Sequence, residues 1–216
     1  MSGPTSVFAL LDGIRALPVV AIESVDDAVP LADALAQGGL PAIEVTLRTA
    51  VAFDAIAKLQ KERPKLLIGA GTVTSGTQMK TCAALGVKFA ISPGLTPALL
   101  EIAHELKMPY LPGTATATDV MVGLQHGWSE FKFFPAEAAG GPAMLKSWAG
   151  PFPDVRFCPT GGINTQNAGT YMALPNVMMV GSSSMMPAAS LKAKDWADIA
   201  RRSRAFTDAL DNIIAC

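Results

Sequence analysis

Between Glu130 and Glu137 the chain reads Glu-Phe-Lys-Phe-Phe-Pro-Ala-Glu, which sets Lys132 among three phenylalanines. Burying an ammonium is costly unless it is paired or gives up its proton. A lysine in such a run is therefore either an edge residue snorkelling to solvent or a desolvated amine. In an extended strand Phe131 and Phe133 point to one face, and Lys132 and Phe134 to the other. If that second face lines a carbonyl-binding pocket, desolvation favours the neutral amine, which is a Schiff-base nucleophile.

A second polar group lies in Glu44-Val45-Thr46-Leu47-Arg48. Glu44, Thr46 and Arg48 share one strand parity, so a carboxylate, a hydroxyl and a guanidinium project to the same side. One reading is a solvent-facing edge with an incidental ion pair. The other is an inward-facing site, where Arg48 suits a bidentate carboxylate clamp and Glu44 a proton shuttle for the Lys132 amine. Gly69-Ala70-Gly71-Thr72-Val73 offers glycines for close approach, either of a ligand or of tightly packed neighbours. Cys158-Pro159-Thr160-Gly161-Gly162-Ile163-Asn164 and Gly181-Ser182-Ser183-Ser184 are glycine- and serine-rich turns. Backbone amides and hydroxyls in such turns make an anion nest that holds phosphate without formal positive charge. Pro93-Gly94 and Pro112-Gly113 read as turns.

Metal and nucleotide chemistry have less support. His104 and His126 fall on expected helices without metal-spaced partners, and no Cys/His/carboxylate set has ligand spacing. Gly69-x-Gly71 lacks the third glycine of a dinucleotide fingerprint. No cofactor or metal is expected.

These groups need a scaffold, and 216 residues with 50% hydrophobic and 16% charged composition supply one. The length predicts a single domain over 1–216. A net charge of −1, with no basic block, argues against a nucleic-acid partner. Cys82, Cys158 and Cys216 are an odd number without metal spacing, as reduced cytoplasmic thiols would be. Asp12 and Arg15 interrupt the apolar residues between Val7 and Val20, so no signal peptide or membrane segment is expected.

Apolar periodicity predicts a short amphipathic helix over Ser6–Arg15, then strands alternating with helices. The strands are expected at 17–22, 42–47, 66–73, 89–92, 110–111, around Lys132, 156–159 and 177–180. The helices between them are expected near 26–37, 50–61, 75–85, 97–106, 117–126, 142–148 and 165–174, with a last one over 195–214. Eight βα units demand a covered parallel sheet and favour an α/β fold of the (β/α)8 TIM barrel type with an extra N-terminal helix. In such barrels the active site lies at the C-terminal strand ends, with phosphate held by the loops after the last two strands. The polar groups above fall at those ends.

Five segments together resemble the 2-keto-3-deoxy-6-phosphogluconate (KDPG) aldolase family, pyruvate-forming class I aldolases that often also split 4-hydroxy-2-oxoglutarate. They are Glu44-Val-Thr-Leu-Arg48, Gly69-Ala-Gly-Thr-Val73, Ile91-Ser-Pro-Gly94, Phe131-Lys-Phe-Phe-Pro-Ala-Glu137 and Phe157-Cys-Pro-Thr-Gly-Gly162. They run in order along nearly the whole chain, at the family's spacing. The resemblance implies a (β/α)8 barrel, usually a homotrimer, acting on a small keto-acid sugar phosphate. It makes Lys132 the Schiff-base lysine and Glu44 the general acid/base. Arg48, Thr72 and Pro93 match contacts to the pyruvoyl part, and Phe134 is expected beside the substrate. Gly161, Gly162, Gly181 and Ser182 match the phosphate site. Thr160 matches the gluconate-type residue, where galactonate-specific relatives tend to carry valine.

Two departures bear on the distal substrate. Ser184 stands where members commonly have tryptophan, and Thr114-Ala115-Thr116 replaces Ile-Ser-Thr. The competing readings are the same imine chemistry on 2-keto-3-deoxy-6-phosphogalactonate or an unphosphorylated sugar acid, a phosphate-binding isomerase or decarboxylase without a covalent intermediate, and a non-catalytic sugar-phosphate binder.

Overall fold

A computed structural model describes residues 5–211. In chain order the elements begin α1 (Val7–Leu10), β1 (Ala16–Val20), α2 (Ala28–Gln37), β2 (Ala42–Thr46), α3 (Ala52–Glu62), β3 (Leu67–Gly71) and α4 (Gly76–Ala84). They continue with β4 (Phe89–Ile91), α5 (Pro97–Glu105), β5 (Tyr110–Leu111), β6 (Gly113–Thr114), α6 (Ala117–Gln125) and β7 (Glu130–Phe133). The last are α7 (Gly141–Trp148), β8 (Arg156–Pro159), α8 (Ala168–Met172), β9 (Val180–Ser182), α9 (Ala188–Ala193) and α10 (Trp196–Asp211).

Every strand pairing is parallel. One sheet runs β5-β4-β3-β2-β1-β9 and a second β6-β7-β8. Residue parity divides the strands' two faces into two apolar clusters. Ala16, Ile43, Val45, Ala90, Tyr110, Phe131, Phe133, Phe157 and Val180 pack with the helices. The alternate residues Leu17, Ala42, Phe89, Ile91, Leu111, Cys158 and Met179 pack on one another and on Val7, Phe8 and Leu11 around α1. Alternation with both faces buried is what a parallel sheet covered by βα crossovers requires.

Hydroxyl side chains fix where several helices begin. Ser75, Thr96 and Thr116 each accept the backbone N–H three residues on, and Asp119 completes a capping box with Thr116. Each such cap is worth about 1 kcal/mol.

The elements differ from the expectation in five places. The 6–15 helix is only the turn Val7–Leu10, because Gly13 takes φ +77° and redirects the chain into β1. Pro112-Gly113 is not a turn: the strand resumes as β6, and the Pro112 carbonyl accepts Lys132 N–H at 2.9 Å. The final strand is Val180–Ser182, not 177–180, since pairing with β1 begins when Val180 N–H meets the Arg15 carbonyl. The 165–174 helix shrinks to α8, its first residues being taken by a side-chain-bonded turn at Asn164–Asn167. Helix α9 was not anticipated, and α10 is described only to Asp211, so 212–214 lie outside the described residues.

Candidate active site

Strands β2 and β7 belong to different sheets, yet they bring Glu44 and Lys132 together. Lys132 Nζ donates to Glu44 Oε1 at 3.0 Å, with the lysine 5% and the glutamate 1% exposed. The parity expectation is met on both sides of β7. Phe133 packs edge-on against Trp148 in the helix-packed cluster, while Lys132 Nζ lies 5.3 Å from the Phe134 ring centroid. That ring face attracts a cation and shields the amine from water. The β7 backbone is fixed at the lysine: its N–H goes to Pro112 and its carbonyl accepts Thr114 Oγ1 at 3.2 Å.

Glu44 Oε2 is buried, with no hydrogen-bond partner among the described residues. A buried carboxylate oxygen in that state is expensive. Asn176 Oδ1 and Ser203 Oγ, away from Lys132, are likewise buried without a partner among the described residues. The two side chains can exist as ammonium and carboxylate or, after one proton crosses 3.0 Å, as amine and acid. The second form holds a nucleophilic amine beside a proton donor.

Toward the end of β2, Thr46 Oγ1 donates to the Val20 carbonyl at 2.8 Å and accepts Arg48 Nε at 3.1 Å. The guanidinium is thereby tethered through Nε, and its two Nη groups have no protein hydrogen bond among the described residues. Arg48 is exposed, at the open end of the site. Beside it Thr72 sits at φ +58°, a left-handed conformation unfavourable for a β-branched residue. Hydrogen bonds on both sides hold it there: Gly71 O accepts Leu47 N–H at 2.8 Å and Val73 N–H reaches Ile91 O at 3.0 Å. Pro93, half-buried, follows Ser92, whose hydroxyl bridges Gly94 O, Tyr110 Oη and Gly113 N. A Cβ at Gly113 would fall 2.4 Å from the Pro93 carbonyl, so the two segments touch through backbone.

Thr160 is buried at the end of β8 and bridges to Gly181, whose absent Cβ would meet Thr160 Oγ1 at 2.2 Å. Gly161 and Gly162 follow at φ +105° and +81°, and neither amide donates a hydrogen bond among the described residues. Ser182 Oγ donates to Ile163 O at 2.7 Å and accepts Ser184 N–H at 3.1 Å. Its hydroxyl thus splices the two glycine turns together, and an anion there would be met by the glycine amides.

Several supporting contacts were not anticipated from the sequence. Asn167 Nδ2 donates to Gly162 O at 3.0 Å, and Asn164 Oδ1 accepts the Gln166 amide. Tyr171 donates to Glu137, whose side chain lies against Gly162. The paired asparagines were a visible turn signal; the Tyr171–Glu137 contact, 34 residues apart, had none. The Thr114-Ala115-Thr116 departure carries structural bonds: Thr114 ties β6 to β7, and Thr116 caps α6. Ser184 is exposed beside Ser182. His104 stacks edge-on against Trp128, and His126 ends α6. Cys82 and Cys158 are buried free thiols; Cys216 lies outside the described residues. Among the described residues no group of His, Cys, Asp and Glu is arranged to hold a metal, and no helix is long and apolar enough to cross a membrane. A separate cleft of about 420 Å³, lined by Ala32, Ala36, Pro41 and Pro64, opens at the N-terminal strand ends, away from Lys132.

The chain matches the family model for KDPG and KHG aldolase over residues 7–202. It is 50% identical over 190 residues to the 2-dehydro-3-deoxy-phosphogluconate aldolase of Pseudomonas aeruginosa, covering 88% of this chain and 86% of that one. To the KHG/KDPG aldolase of Escherichia coli K12 it is 46% identical over 200 residues, or 93% and 94% of the two chains. Among solved structures it superposes with TM-score 0.91 and 45% identity on a KDPG aldolase from Legionella pneumophila, covering 94% of this chain and 98% of that one. That crystal holds pyruvate captured at low pH as a covalent carbinolamine intermediate. The paired lysine and glutamate, the glycine turns and these matches agree: this chain belongs to the KDPG and KHG aldolase family.

Proposed function

We propose that this chain is a class I aldolase that cleaves 2-keto-3-deoxy-6-phosphogluconate to pyruvate and glyceraldehyde 3-phosphate, and 4-hydroxy-2-oxoglutarate to pyruvate and glyoxylate. The observation that carries the reading is the buried 3.0 Å contact between Lys132 Nζ and Glu44 Oε1, with Glu44 Oε2 left unpartnered.

In this mechanism the Lys132 proton passes to Glu44, and the freed amine attacks the C2 ketone. Glu44 returns the proton to the carbinolamine oxygen, which leaves as water and yields a protonated imine. The imine is an electron sink. When Glu44, directly or through water, removes the C4 hydroxyl proton, the C3–C4 pair flows into the imine and the aldehyde departs. The resulting enamine takes a proton at C3, and hydrolysis releases pyruvate and restores the amine. Acid–base transfer of this kind contributes about 10²–10⁴-fold. The free Nη groups of Arg48 suit the substrate carboxylate. Thr72, Pro93 and Phe134 line the pyruvoyl end, Thr160 meets the sugar chain, and Gly161, Gly162, Gly181 and Ser182 frame the phosphate.

For the scaffold, we take the two sheets as arcs of one closed (β/α)8 barrel forming a single domain over 1–216. β5 and β6 are one strand interrupted only at Pro112, and the bridges Phe157–Val177 and Thr160–Gly181 join the β8 and β9 segments. The α1 turn packs on the inner cluster as its floor. A cytoplasmic homotrimer completes the proposal, with the buried free thiols favouring a reducing compartment.

The test is borohydride reduction with pyruvate, followed by peptide mass mapping, alongside pyruvate release from each substrate. A reduced adduct on Lys132, lost in Lys132→Ala, is the expected result. Pyruvate release without an adduct would sink the imine mechanism, and neither adduct nor pyruvate release would favour an isomerase or decarboxylase type of site.

A further inference from the structure

Glu44 reaches Lys132 through a space that one glycine leaves open. A Cβ built on Gly71 would lie 2.2 Å from Glu44 Oε1, 2.6 Å from Cγ and 2.7 Å from Cδ, all closer than real Cβ contacts. The backbone does not require glycine there. Gly71 ends β3 with a negative φ, unlike Gly161 and Gly162, so any residue could adopt its conformation. Nor can the segment give way easily. Gly71 is in register with Thr46 in the β2–β3 ladder, and its carbonyl accepts Leu47 N–H. The glutamate is equally confined, being 1% exposed with its carboxylate held at Lys132.

We infer that Gly71 is a positioning residue for the proton-transfer group: its missing side chain sets where the Glu44 carboxylate lies. The inference rests on the imine mechanism proposed above and adds to it a residue that has no reacting group of its own. Gly69 supplies an internal control. It lies two residues back on the same strand and face, and its Cβ would meet Phe89 at 2.0 Å. Phe89 belongs to the inner apolar cluster, so Gly69 yields its volume to packing and Gly71 to chemistry.

Gly71→Ala forces the carboxylate off Nζ. The expected outcome is a fall in kcat of about 10²–10³-fold, within the range of general acid–base catalysis, with KM for the keto acid changed less than about threefold. Pyruvate trapping by borohydride slows in step. In a Glu44→Gln background the same alanine costs no more than about a further twofold, because both changes act through one carboxylate. Multiplying effects would overturn the proposal, as would wild-type kinetics in Gly71→Ala.

If Gly71→Ala alone does not fold, thermal melting of Glu44→Ala/Gly71→Ala decides. Removing the clashing atoms should restore the midpoint to within a few degrees of Glu44→Ala; a double variant as unstable as Gly71→Ala would mean the methyl meets something other than Glu44. Gly69→Ala should lower the midpoint and leave the trapping rate per folded molecule within about twofold. Failure of the wild type to trap pyruvate on Lys132 would count against the imine mechanism itself. Normal wild-type trapping with unaffected Gly71→Ala would count against Gly71 alone.

Discussion

Two glutamates on the strand faces turned away from the helices have opposite fates. Glu130, at the start of β7, is fully engaged: Oε1 takes the Ser6 hydroxyl, and Oε2 takes the amides of Val7 and Phe8 at 2.8 and 3.1 Å. Glu44 has one oxygen on Lys132 and none on the other. The first carboxylate anchors the N-terminus of α1, where unpaired amides favour negative charge. The second, in the mechanism proposed above, keeps one oxygen for a reacting group. The same division recurs along other strands. Two residues beyond the packed Ala42, Cys158 and Met179 come Glu44, Thr160 and Gly181. In the proposed mechanism these three segments carry packing at one level and chemistry at the next, and the two glutamates differ in the same way.

Removing the lysine tests the reactive level most severely. Lys132→Ala should abolish the borohydride adduct and lower turnover by at least about 10⁴-fold, since no covalent intermediate can form. It also leaves Glu44 buried without its partner, at a cost of about 3–5 kcal/mol if the carboxylate stays charged. Lys132→Met with Glu44→Gln should recover that stability in denaturant titrations while remaining inactive. A dead but destabilised double variant would mean the ion pair holds the fold together, which the contrast denies. Next in size, Glu44→Gln alone should lower kcat by about 10²–10⁴-fold with little change in pyruvate affinity. An effect confined to affinity would make Glu44 a binding group.

Glu130→Gln probes the other half of the contrast. It should leave kcat within about threefold of wild type and lower stability by about 1–2 kcal/mol, because charge-assisted bonds to the α1 amides weaken. Large loss of activity at unchanged stability would erase the distinction between the two carboxylates.

How much of this was readable in advance follows from range. Parity placed Lys132 opposite Phe131 and Phe133, and it grouped Glu44, Thr46 and Arg48, because side-chain direction in a strand is a local property. The alternation of elements gave a parallel α/β fold for the same reason. That Glu44 meets Lys132, 88 residues away, was inferable only once both were put on inward faces. Close approach at Gly69 and Gly71 was readable, but not that Gly71 makes room for Glu44, since that contact is with a side chain from the neighbouring strand. The end of β9 and the bridging of Pro112 were misjudged because strand limits depend on the partner's register, which periodicity does not encode.

Thr72 adds a smaller test. Its φ of +58° is unfavourable for a β-branched residue, by about 1–3 kcal/mol, and glycine removes that strain. Thr72→Gly should therefore melt no lower than wild type while KM for the keto acid rises. A lower melting midpoint at unchanged KM would make Thr72 a packing residue and leave the strain without a catalytic purpose.

The smallest effect separates the levels by their access to water. Cys158 lies in register beside Lys132 yet packs in the inner apolar cluster, and burial pushes its thiol up to about 12. The Lys132 charge opposes that shift and Glu44 adds to it. Cys82, in the outer core, is pushed up to about 11, again by burial. A raised thiol stays protonated in the fold after the unfolded chain has begun to ionise near pH 8.5, so the unfolded state binds fewer protons and stability falls as pH rises. The contribution is complete below about pH 8.5 and is lost progressively as pH rises toward 11 and 12. In a Cys216→Ser background, Cys158→Ala should thus flatten the alkaline limb of stability against pH, over and above any constant loss from the cavity it leaves. In that background the folded protein should also resist alkylation of Cys82 and Cys158 at pH 8. Rapid alkylation of Cys158 would mean that water reaches the packed level as freely as the reactive one, and the layered contrast between them would not hold.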